Sequence, residues 1–568
     1  QLSQIPFKLV FSSNLEKSIE QINRDTLGFI ELIDAPQVVC YGDSITSTSI
    51  PCNIKKGKLV SFRISNISGD NVTAGIGNGS TIVQYALNES VPGANGINVY
   101  IVADNDATSV IINVQNGSAI ASCYVSNRAV EMEGSAQINV LNLGVVPNDY
   151  SRETAIKNDA IIQSVLDRVN DGIILYFPKG TYYTRQGYHI AKDNVIIKGD
   201  GAELTTFTAL SWNISNPDSG HPTIFYNDYD NANEPISNVQ LMDFTIDKAG
   251  KGIFFSKLIN CTFRNLFIKN TDESGLGCDH FKGGIIDGVR CSNCGKKGDL
   301  SSAAYGCSGI GIGCGWFNDG FESLTVTNCH CNDNKQYGLF FEAQPNLPQH
   351  PSRRPVGLSV IGCSAKGNRT GIGICGYEGA SVIGCTAYNN HHAGFSFDNG
   401  TLGSDPTEPL DTRAVKFIAC SSYSNGASLP VDYPEYKGQK NGYGFYISSK
   451  YDNIEIVSCN ILDNLKSGIV FVNGIKMLNI TGGEIAANGE YGIELNGECR
   501  FFNITPMIIR NSQHGIHINN SIYYGFINNV VIANNTIGIY KASGANLYGV
   551  HIGELVYSGN TTDNNLNP

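Results

Sequence analysis

Hydrophobic and polar positions repeat along this 568-residue chain from about residue 190 to the C-terminus. Each repeat opens with a glycine, an apolar residue, any residue and a second apolar residue. The last four intervals between repeat glycines are 24, 24, 23 and 23 residues. A strand-and-turn unit of constant period predicts stacked coils of a right-handed parallel β-helix. The repeat glycines are Gly275, Gly309, Gly338, Gly371, Gly394, Gly444, Gly468, Gly492, Gly515 and Gly538.

The alternation inside each unit predicts which side chains face the core. The residue directly after the glycine is apolar in all ten units, from Leu276 to Ile539. Two positions further on the residue is again apolar, with Lys541 as the exception. Because strand side chains alternate between two faces, the residues between these positions point outward. The outward residues of successive coils can therefore be compared as columns.

Longer intervals of 34, 29, 33 and 50 residues occur in the middle of the series. They predict inserted loops at 295–307, 343–356 and 400–440, the last of which is long enough to contain an extra coil. The C-terminal coils have no such insertions. The loops thus crowd onto the coils between Gly275 and Gly444.

Upstream of the repeats the pattern changes twice. Residues 1–27 form an N-terminal segment with a possible short helix at 14–26, and 28–135 alternates in short strands, as in a small β-rich domain. Residues 136–190 contain an amphipathic helix and then a strand, and they predict a cap for the β-helix at 191–568.

The cap carries a specific resemblance. It reads Gly-Val, Asn-Asp, a helix and then a Tyr-Phe-Pro-Lys-Gly-Thr-Tyr turn within 141–184. This order resembles the opening of the pectate-lyase-like (pectin-lyase-like) β-helix domains of bacteriophage tailspikes. The resemblance implies a virion-attached homotrimer that acts at the bacterial cell surface and joins the phage tail or baseplate through its N-terminal region. It fixes the fold more firmly than the function, since this fold carries hydrolases, lyases, epimerases and adhesins.

Composition narrows the function. A formal net charge of −12 and the absence of a basic stripe argue against nucleic-acid binding. No apolar run reaches the ~20 residues of a membrane span, so membrane insertion is not expected. Abundant glycine and only 16% charged residues favour a mostly β protein. No cofactor is predicted.

Seventeen cysteines would fit a disulfide scaffold, but their positions indicate otherwise. Seven fall in or just after apolar segments, which predicts a stack of small buried side chains formed in a reducing environment. These are Cys261, Cys291, Cys329, Cys363, Cys385, Cys420 and Cys459. A metal site at Cys291 and Cys294 is the alternative, but no matching ligand set follows at zinc spacing, and no metal is predicted.

The outward column four residues after each glycine points to chemistry. It reads Asp279, Gly313, Glu342, Cys375, Asp398, Ser448, Val472, Asn496 and Asn519. The three carboxylates lie on the loop-bearing coils. Adjacent coils are ~4.8 Å apart, so alternate coils put carboxylates roughly 9–10 Å apart at the backbone. Side-chain flexibility brings that separation into the window of about 6.5–9.5 Å used by inverting glycosidases.

This column predicts an endoglycosidase with a two-carboxylate mechanism. We assign Glu342 as general acid, because Phe340 and Phe341 precede it, and Asp398 as general base, with Asp279 as an alternative catalytic or binding carboxylate. Glycines in the neighbouring column would form a low floor for a bacterial capsule, exopolysaccharide or O-antigen chain. The predicted substrate-binding residues are Trp316, Tyr377, Glu378, His280, Asp319, His391 and His392.

Three alternatives remain open. An outward carboxylate taken singly is more often a solubilising side chain than a catalyst. A polysaccharide lyase on the same fold would use a basic residue such as Arg353, Arg354, Arg369 or Lys366. A receptor-binding spike without catalysis would need none of these residues.

Overall fold

The structure is a computed structural model. It describes residues 7–9, 29–33, 37–39, 45–54, 58–68, 71–89, 96–103, 105–115, 118–129, 136–168, 172–210, 221–227, 234–295, 308–314, 323–343, 356–398, 413–426, 441–448 and 452–566. The chain divides into two compact units. Unit 1 comprises 1–146, 169–178 and 195–197, and unit 2 comprises 147–168, 179–194 and 198–568.

Unit 1 is built from strands in its described part, as the N-terminal pattern predicts. Its longer strands pair in antiparallel fashion, and Phe62, Ile111 and Ile112 are among its buried side chains. The strands are Phe7–Leu9, Phe29–Ile33, Gln37–Val39, Ile45–Ile54, Lys58–Ser68, Asn71–Asn78, Thr81–Glu89, Gly96–Val102, Ala107–Gln115, Ser118–Ala129, Ala136–Asn139 and Ile173–Phe177, with a 3-10 helix at Val140–Leu143. The predicted helix at 14–26 lies outside the described residues.

Unit 2 opens with the predicted amphipathic helix, Arg152–Arg168. Its first turn is fixed by Asp149, whose carboxylate accepts hydrogen bonds from the Ser151 backbone N–H and the Thr154 hydroxyl. These bonds hold the pKa of the Asp149 carboxyl below its ordinary value. The inner face of the helix buries Ala155 and Leu166, so the helix has the amphipathic character that its sequence predicts.

The rest of unit 2 is a right-handed parallel β-helix with two long parallel sheets. From Gly252 onward, each coil gives one strand to the first sheet and either one long strand or two short strands to the second. The first, called sheet 1, contains Tyr188–His189, Phe225–Tyr226, Ile236–Ser237, Ile253–Ile259, Leu276–Lys282, Ile310–Cys314, Tyr337–Ala343, Thr370–Cys375, Ala393–Asp398, Tyr443–Ile447, Ile469–Phe471, Tyr491–Leu495, His514–Ile518, Ile537–Lys541 and Thr562–Asn564.

The second long sheet, called sheet 2, covers the opposite flank of the coils. Its strands in unit 2 are Gly180–Thr184, Thr205–Ala209, Gln240–Asp247, Thr262–Lys269, Ile285–Asp287, Arg290–Ser292, Thr325–Thr327, His330–Asn332, Ser359–Ile361, Ser364–Lys366, Ser381–Ile383, Thr386–Tyr388, Arg413–Ile418, Ser421–Tyr423, Asp452–Leu462, Leu478–Ala486, Phe502–Thr505, Met507–Arg510, Phe526–Ile527, Val530–Ala533, His551–Ile552 and Leu555–Ser558. The strand Val195–Gly199 also belongs to this sheet, and its first three residues are part of unit 1. A small third sheet holds Cys499–Arg500, Ile522–Tyr523 and Leu547–Tyr548.

The repeat glycines sit at a crowded inner corner. A Cβ on Gly371 would lie 2.4 Å from the carbonyl oxygen of Gly394 and 2.9 Å from the amide nitrogen of Asn390, and the other repeat glycines are similarly confined. Close approach of neighbouring coils therefore requires glycine here, although its backbone conformation does not.

A buried asparagine ladder fills the space that these glycines leave. From Asn368 onward, each Oδ1 accepts hydrogen bonds from the backbone N–H and the Nδ2 of the asparagine one coil earlier, whereas the Oδ1 of Asn334 accepts from the Cys294 backbone N–H. Each Nδ2 also donates to a backbone carbonyl, as Asn390 does to Ala365. The ladder satisfies the polar groups of the bend inside the core. Its members are Asn334, Asn368, Asn390, Asn425, Asn464 and Asn488.

The cysteines are buried and free in the described part of the chain, as predicted. Their register is more complex than one column. Five of them stack directly, and Cys261 and Cys291 occupy two other columns, with Cys291 beside Cys331. The stacked five are Cys329, Cys363, Cys385, Cys420 and Cys459. Burial raises the pKa of the Cys261 thiol to about 12.

Most of the predicted loop segments lie outside the described residues. The expected extra coil within 400–440 is not formed by the described strands of that region. Arg413–Ile418 and Ser421–Tyr423 are the two sheet 2 strands of the coil that begins at Gly394. In sheet 1, Ala393–Asp398 pairs directly with Tyr443–Ile447, which leaves no place for another strand between them.

Candidate active site

The strand register places the residues of the carboxylate column next to one another on successive coils. Gly313 pairs with Glu342, Glu342 with Cys375, and Cys375 with Asp398, all in parallel. Asp279 follows Cys278, which pairs with Ile312, so Asp279 continues the column one coil before Gly313. In each carboxylate pair one coil lies between the two residues, which corresponds to roughly 9–10 Å at the backbone. The side chain of Asp398 lies outside the described residues.

The glycines beside this column do not all form a floor. A Cβ on Gly373 would meet the rings of Tyr337 and Phe340 at 2.6 and 3.0 Å, and Phe254 covers Gly277 in the same way. The Tyr337 and Phe340 rings stack with 4.3 Å between centroids. The protein's own aromatic rings thus occupy the space that the sequence analysis assigned to a polysaccharide.

Gly311 is different. Among the described residues, a Cβ there would make only ordinary contact, at 3.6 Å from the Cβ of Ser308. Gly311 pairs with Gly277 on one side and Phe340 on the other, so covered positions flank it. Of the described glycines in this column, the uncovered one is therefore Gly311, on the coil between those of Asp279 and Glu342. Geometry therefore favours Asp279 and Glu342 as the working pair over Glu342 and Asp398.

Asp279 has the environment of a proton donor. Its side chain belongs to a residue that is only 8% exposed. Burial raises its pKa to about 6, and Lys251 partly opposes the shift. Lys251 is held by an ion pair to Glu273 at 3.4 Å and lies 3.8 Å from the centre of the Phe254 ring. Near pH 6, Asp279 thus exists in both protonation states.

This shift predicts how Asp279 affects stability. In the unfolded chain the carboxyl ionises near pH 4, whereas in the folded protein it keeps its proton until about pH 6. The contribution of Asp279 to the free energy of unfolding is therefore fully present below pH 4 and is lost as the pH rises through 6. We expect Asp279→Asn to gain up to about 3 kcal/mol relative to wild type between pH 4 and pH 7. Unfolding midpoints of both proteins at the two pH values test this, and a constant difference between them would contradict it.

One buried polar atom belongs to Ser308, just before the strand that contains Gly311, and another belongs to Gln336 in the next coil. The Ser308 Oγ and the Gln336 Oε1 are buried and have no hydrogen-bond partner within the part of the chain that the structure describes. Ser308 directly precedes Gly309, whose N–H donates to the Tyr337 carbonyl, so the two residues belong to adjacent coils. Buried polar atoms without partners are costly, and a bound ligand or water can satisfy them.

The other predicted substrate-binding residues have mixed outcomes. Tyr377 is 0% exposed, so its ring offers no face to a sugar, and we leave it out of the proposed site. Glu378 is half-buried and forms a bridge with Val356 next to the column. Trp316 and Asp319 lie outside the described residues.

Of the three predicted histidines, His280 lies within the sheet 1 strand Leu276–Lys282, and His391 and His392 directly precede the strand Ala393–Asp398. His280 and His391 are 4% and 7% exposed. His392 lies against the rings of Tyr443 and Tyr446, at 5.9 and 4.7 Å between centroids. Burial, with help from Arg369 and His391, lowers the pKa of His392 to about 4, so it is neutral at physiological pH.

Sequence reasoning missed the coil that supports Asp279. Ser256 precedes Asp279 in the outward column, and its backbone N–H and hydroxyl bond to Asn227 at 2.8 and 3.2 Å. Lys257 is fully buried in the same strand. The signal was present, since Gly252 begins a Gly-Ile-Phe-Phe unit 23 residues before Gly275.

Within the described residues, no cluster of three or more histidine, cysteine, aspartate or glutamate side chains is arranged to hold a metal ion. No described helix is long and apolar enough to cross a membrane.

Comparison with known proteins returns only distant structural likenesses. No protein-family model and no curated protein matches the chain. The A-module of the mannuronan C-5 epimerase AlgE4 from Azotobacter vinelandii is 15% identical, covers 76% of this chain and 97% of its own, and has a TM-score of 0.44. A GH87 α-1,3-glucanase catalytic unit from Streptomyces thermodiastaticus is 12% identical over 92% and 96%, with a TM-score of 0.41. ORF18 of Geobacillus virus E2 is 13% identical over 74% and 60%, with a TM-score of 0.30.

Proposed function

We propose that this protein is an endoglycosidase that binds and hydrolyses a bacterial surface polysaccharide. The observation that carries the proposal is the placement of Asp279 and Glu342. They stand in one outward column, on coils that flank the open glycine Gly311, and Asp279 has a raised pKa of about 6. Two carboxyl groups at this separation match a hydrolysis in which water enters opposite the leaving group.

In the proposed reaction Asp279 is the general acid and Glu342 the general base. The Asp279 carboxyl donates its proton to the glycosidic oxygen as the bond to the anomeric carbon breaks. Glu342 accepts a proton from the water that attacks this carbon from the other face, so the anomeric configuration inverts. This differs from the role assigned to Glu342 from the sequence, because burial raises the pKa of Asp279 to about 6 and so makes Asp279 a suitable acid.

Two of the basic residues proposed for a lyase lie in the described part of the chain: Arg369 directly precedes the sheet 1 strand Thr370–Cys375, and Lys366 lies away from the column. Lys366 belongs to a sheet 2 strand, where its ammonium group lies 5.9 Å from the centre of the Tyr388 ring, away from the column. His392 has a pKa of about 4, which makes it a weak base for removing a proton next to a uronate carboxylate. Arg353 and Arg354 lie outside the described residues.

The test is a screen of purified bacterial capsules, exopolysaccharides and O-antigens. We expect one of them to be cut into repeat-unit oligosaccharides with new reducing ends and no ultraviolet-absorbing unsaturated product. Nuclear magnetic resonance of the first product is expected to show the inverted anomer. An unsaturated product would establish the lyase, and binding without cleavage would establish the adhesin.

We further propose that the protein works as a homotrimeric tailspike of a phage virion. The support comes from the cap motif and from an apolar surface on the C-terminal coils. Phe501 and Tyr524 are 59% and 58% exposed and stack at 5.7 Å. Both have left-handed backbone conformations, with φ of 50° and 52°, which costs bulky residues about 1–2 kcal/mol each. A subunit interface would explain why large aromatic side chains are retained there.

The double substitution Phe501→Asn and Tyr524→Asn tests this interface. Asparagine tolerates the left-handed conformation, so each subunit is expected to remain folded while association weakens. Light scattering after gel filtration should give three times 61.2 kDa for the wild type and a single 61.2 kDa subunit for the variant at low concentration. A monomeric wild type, or an unchanged trimer in the variant, would exclude this surface.

A further inference from the structure

The C-terminal coils lack the carboxylate pair but carry a second polar surface on the same sheet. Its outward residues form two neighbouring columns in parallel register across the coils from Gly444 to Gly538. We call this surface the C-terminal strip. Its residues are Tyr443, Tyr446, Ser467, Tyr491, Glu494, His514, His517 and Tyr540.

Four aromatic or imidazole rings form the centre of the strip. The Tyr491 ring lies 4.0 Å from His517 and 4.9 Å from His514, and the Tyr540 ring lies 4.5 Å from His514 and 4.8 Å from His517. Tyr491, His514 and Tyr540 remain partly exposed, whereas His517 is 6% exposed between its neighbours. The rings thus make a patch two columns wide, not a single ladder.

Glu494 gives the strip a fixed hydrogen-bond acceptor. The Ser467 hydroxyl donates to one of its carboxylate oxygens, and the Asn496 amide donates to the other at 2.8 Å. A carboxylate has capacity for about four hydrogen bonds, so each oxygen can accept one more from a ligand hydroxyl. Asn519 continues the polar edge by donating to Asn496 at 2.9 Å.

The histidines of the strip carry no charge at physiological pH. Burial, reinforced by His517, lowers the pKa of His514 to about 4, and burial also lowers the pKa of His517. The Lys466 ammonium group is paired with Glu490. The described residues of the strip therefore offer ring faces, neutral imidazoles and an oriented acceptor, and none of the strip residues is a lysine or an arginine.

We propose that the C-terminal strip is a second binding site for uncharged sugar residues of the same polysaccharide chain. Aromatic faces beside oriented acceptors suit the apolar and hydroxyl faces of a sugar ring. Five coil spacings, or about 24 Å, separate the coils of Glu342 and Glu494 along sheet 1. A polymer that runs along this sheet can contact both sites at once, which raises its effective local concentration at the catalytic pair. This inference rests on the proposed function.

The test compares Tyr491→Ala/Tyr540→Ala and the shape-preserving Glu494→Gln with the control Tyr423→Ala. Tyr423 stacks on Tyr388 at 5.0 Å on sheet 2, so the control removes a similar ring pair from another surface. All are made in the full chain, with and without the inactivating Glu342→Gln. Binding of the polysaccharide found by the screen is measured on the inactive proteins, and kcat/KM is measured on the active ones.

We expect the double variant to bind the polymer about tenfold more weakly, and Glu494→Gln several-fold more weakly, without a change for the control. The ratio of kcat/KM on the polymer to kcat/KM on fragments shorter than about 24 Å should fall about tenfold. If the wild type cleaves the polysaccharide and all variants bind it equally well, the proposed second binding site is wrong and the hydrolase proposal is unaffected. If the protein never cleaves the polysaccharide but the strip variants bind it more weakly, the hydrolase proposal is wrong and the proposed binding site is supported. Failure to bind any polysaccharide contradicts both.

Discussion

Glu342→Gln is expected to lower kcat about a thousandfold while the protein still binds its polysaccharide. Glutamine keeps the shape of glutamate but cannot accept the proton of the attacking water, and general acid–base groups contribute about 10²–10⁴-fold. Asp279→Asn should cause a loss of similar size, because asparagine cannot protonate the leaving oxygen. The release of reducing ends per unit time measures both losses.

The same experiment decides between the two possible carboxylate pairs. If Asp279 and Glu342 work together, Asp398→Asn should retain activity within about tenfold of wild type. If the pair is instead Glu342 and Asp398, Asp398→Asn will lose activity and Asp279→Asn will largely keep it. Glu455→Gln is the control, since Glu455 pairs with Lys416 on sheet 2 at 3.3 Å. An active Glu342→Gln protein would exclude both pairs.

The pH dependence of the rate adds a signature that a positioning role would not produce. With Asp279 as the acid, the wild-type rate should fall above about pH 6 as this carboxyl loses its proton. The small residual rate of Asp279→Asn should lack that alkaline limb. A fall at the same pH in both proteins would assign the ionisation to another group.

Sequence periodicity was sufficient for the coils, the cap helix and the carboxylate column, because all three depend on local spacing. Repeat glycines such as Gly338 and Gly371 mark the start of each coil. The parallel register between coils then aligns Glu342 with Gly313. Burial could not be predicted in the same way. Whether Gly373 is open or covered depends on the rotamers of Tyr337 and Phe340 in the preceding coil, and no spacing rule gives these.

On the C-terminal coils, the structure contains a surface that was not predicted from the sequence. In the column that contains Asp279 and Glu342, these coils have residues such as Val472 and Asn519, which carry no catalytic acid or base. The columns beside it contain Tyr491 and His517, whose aromatic character is evident in the sequence. Their significance depends on the ring contacts across coils, which the sequence does not give.

The asparagine ladder has a regular spacing in the sequence, but that spacing alone does not distinguish it from turn residues. Asn334, Asn368, Asn390 and Asn464 each precede a repeat glycine by three or four residues. Turns favour asparagine for its tolerance of the left-handed backbone, and Asn293 and Asn389 are of that kind. The ladder asparagines differ, because their side chains are inside the core.

Asn390→Ala is expected to destabilise the β-helix by about 4 kcal/mol. Asn390 is 0% exposed, and its Oδ1 accepts from the backbone N–H and the Nδ2 of Asn368 at 3.1 and 3.2 Å. Its Nδ2 donates to the Ala365 carbonyl and to Asn425 at 3.2 and 3.1 Å. Alanine leaves the Asn368 N–H and the Ala365 carbonyl without these partners, in a cavity that the stacked coils cannot close.

Asn503→Ala is the matched control for this experiment. The Asn503 amide also stacks on an asparagine of the adjacent coil, donating to Asn479 at 3.1 Å, but both lie half-buried on sheet 2, where water can replace the lost bond. We expect its denaturation midpoint to stay close to that of the wild type, whereas the midpoint of Asn390→Ala falls or the soluble yield collapses. Equal, small effects for the two variants would show that the ladder contributes little and that glycine packing alone holds the corner. A large effect at Asn390 only would mean that the interior polar row, together with the apolar columns, sets the register on which the alignment of Asp279 with Glu342 depends.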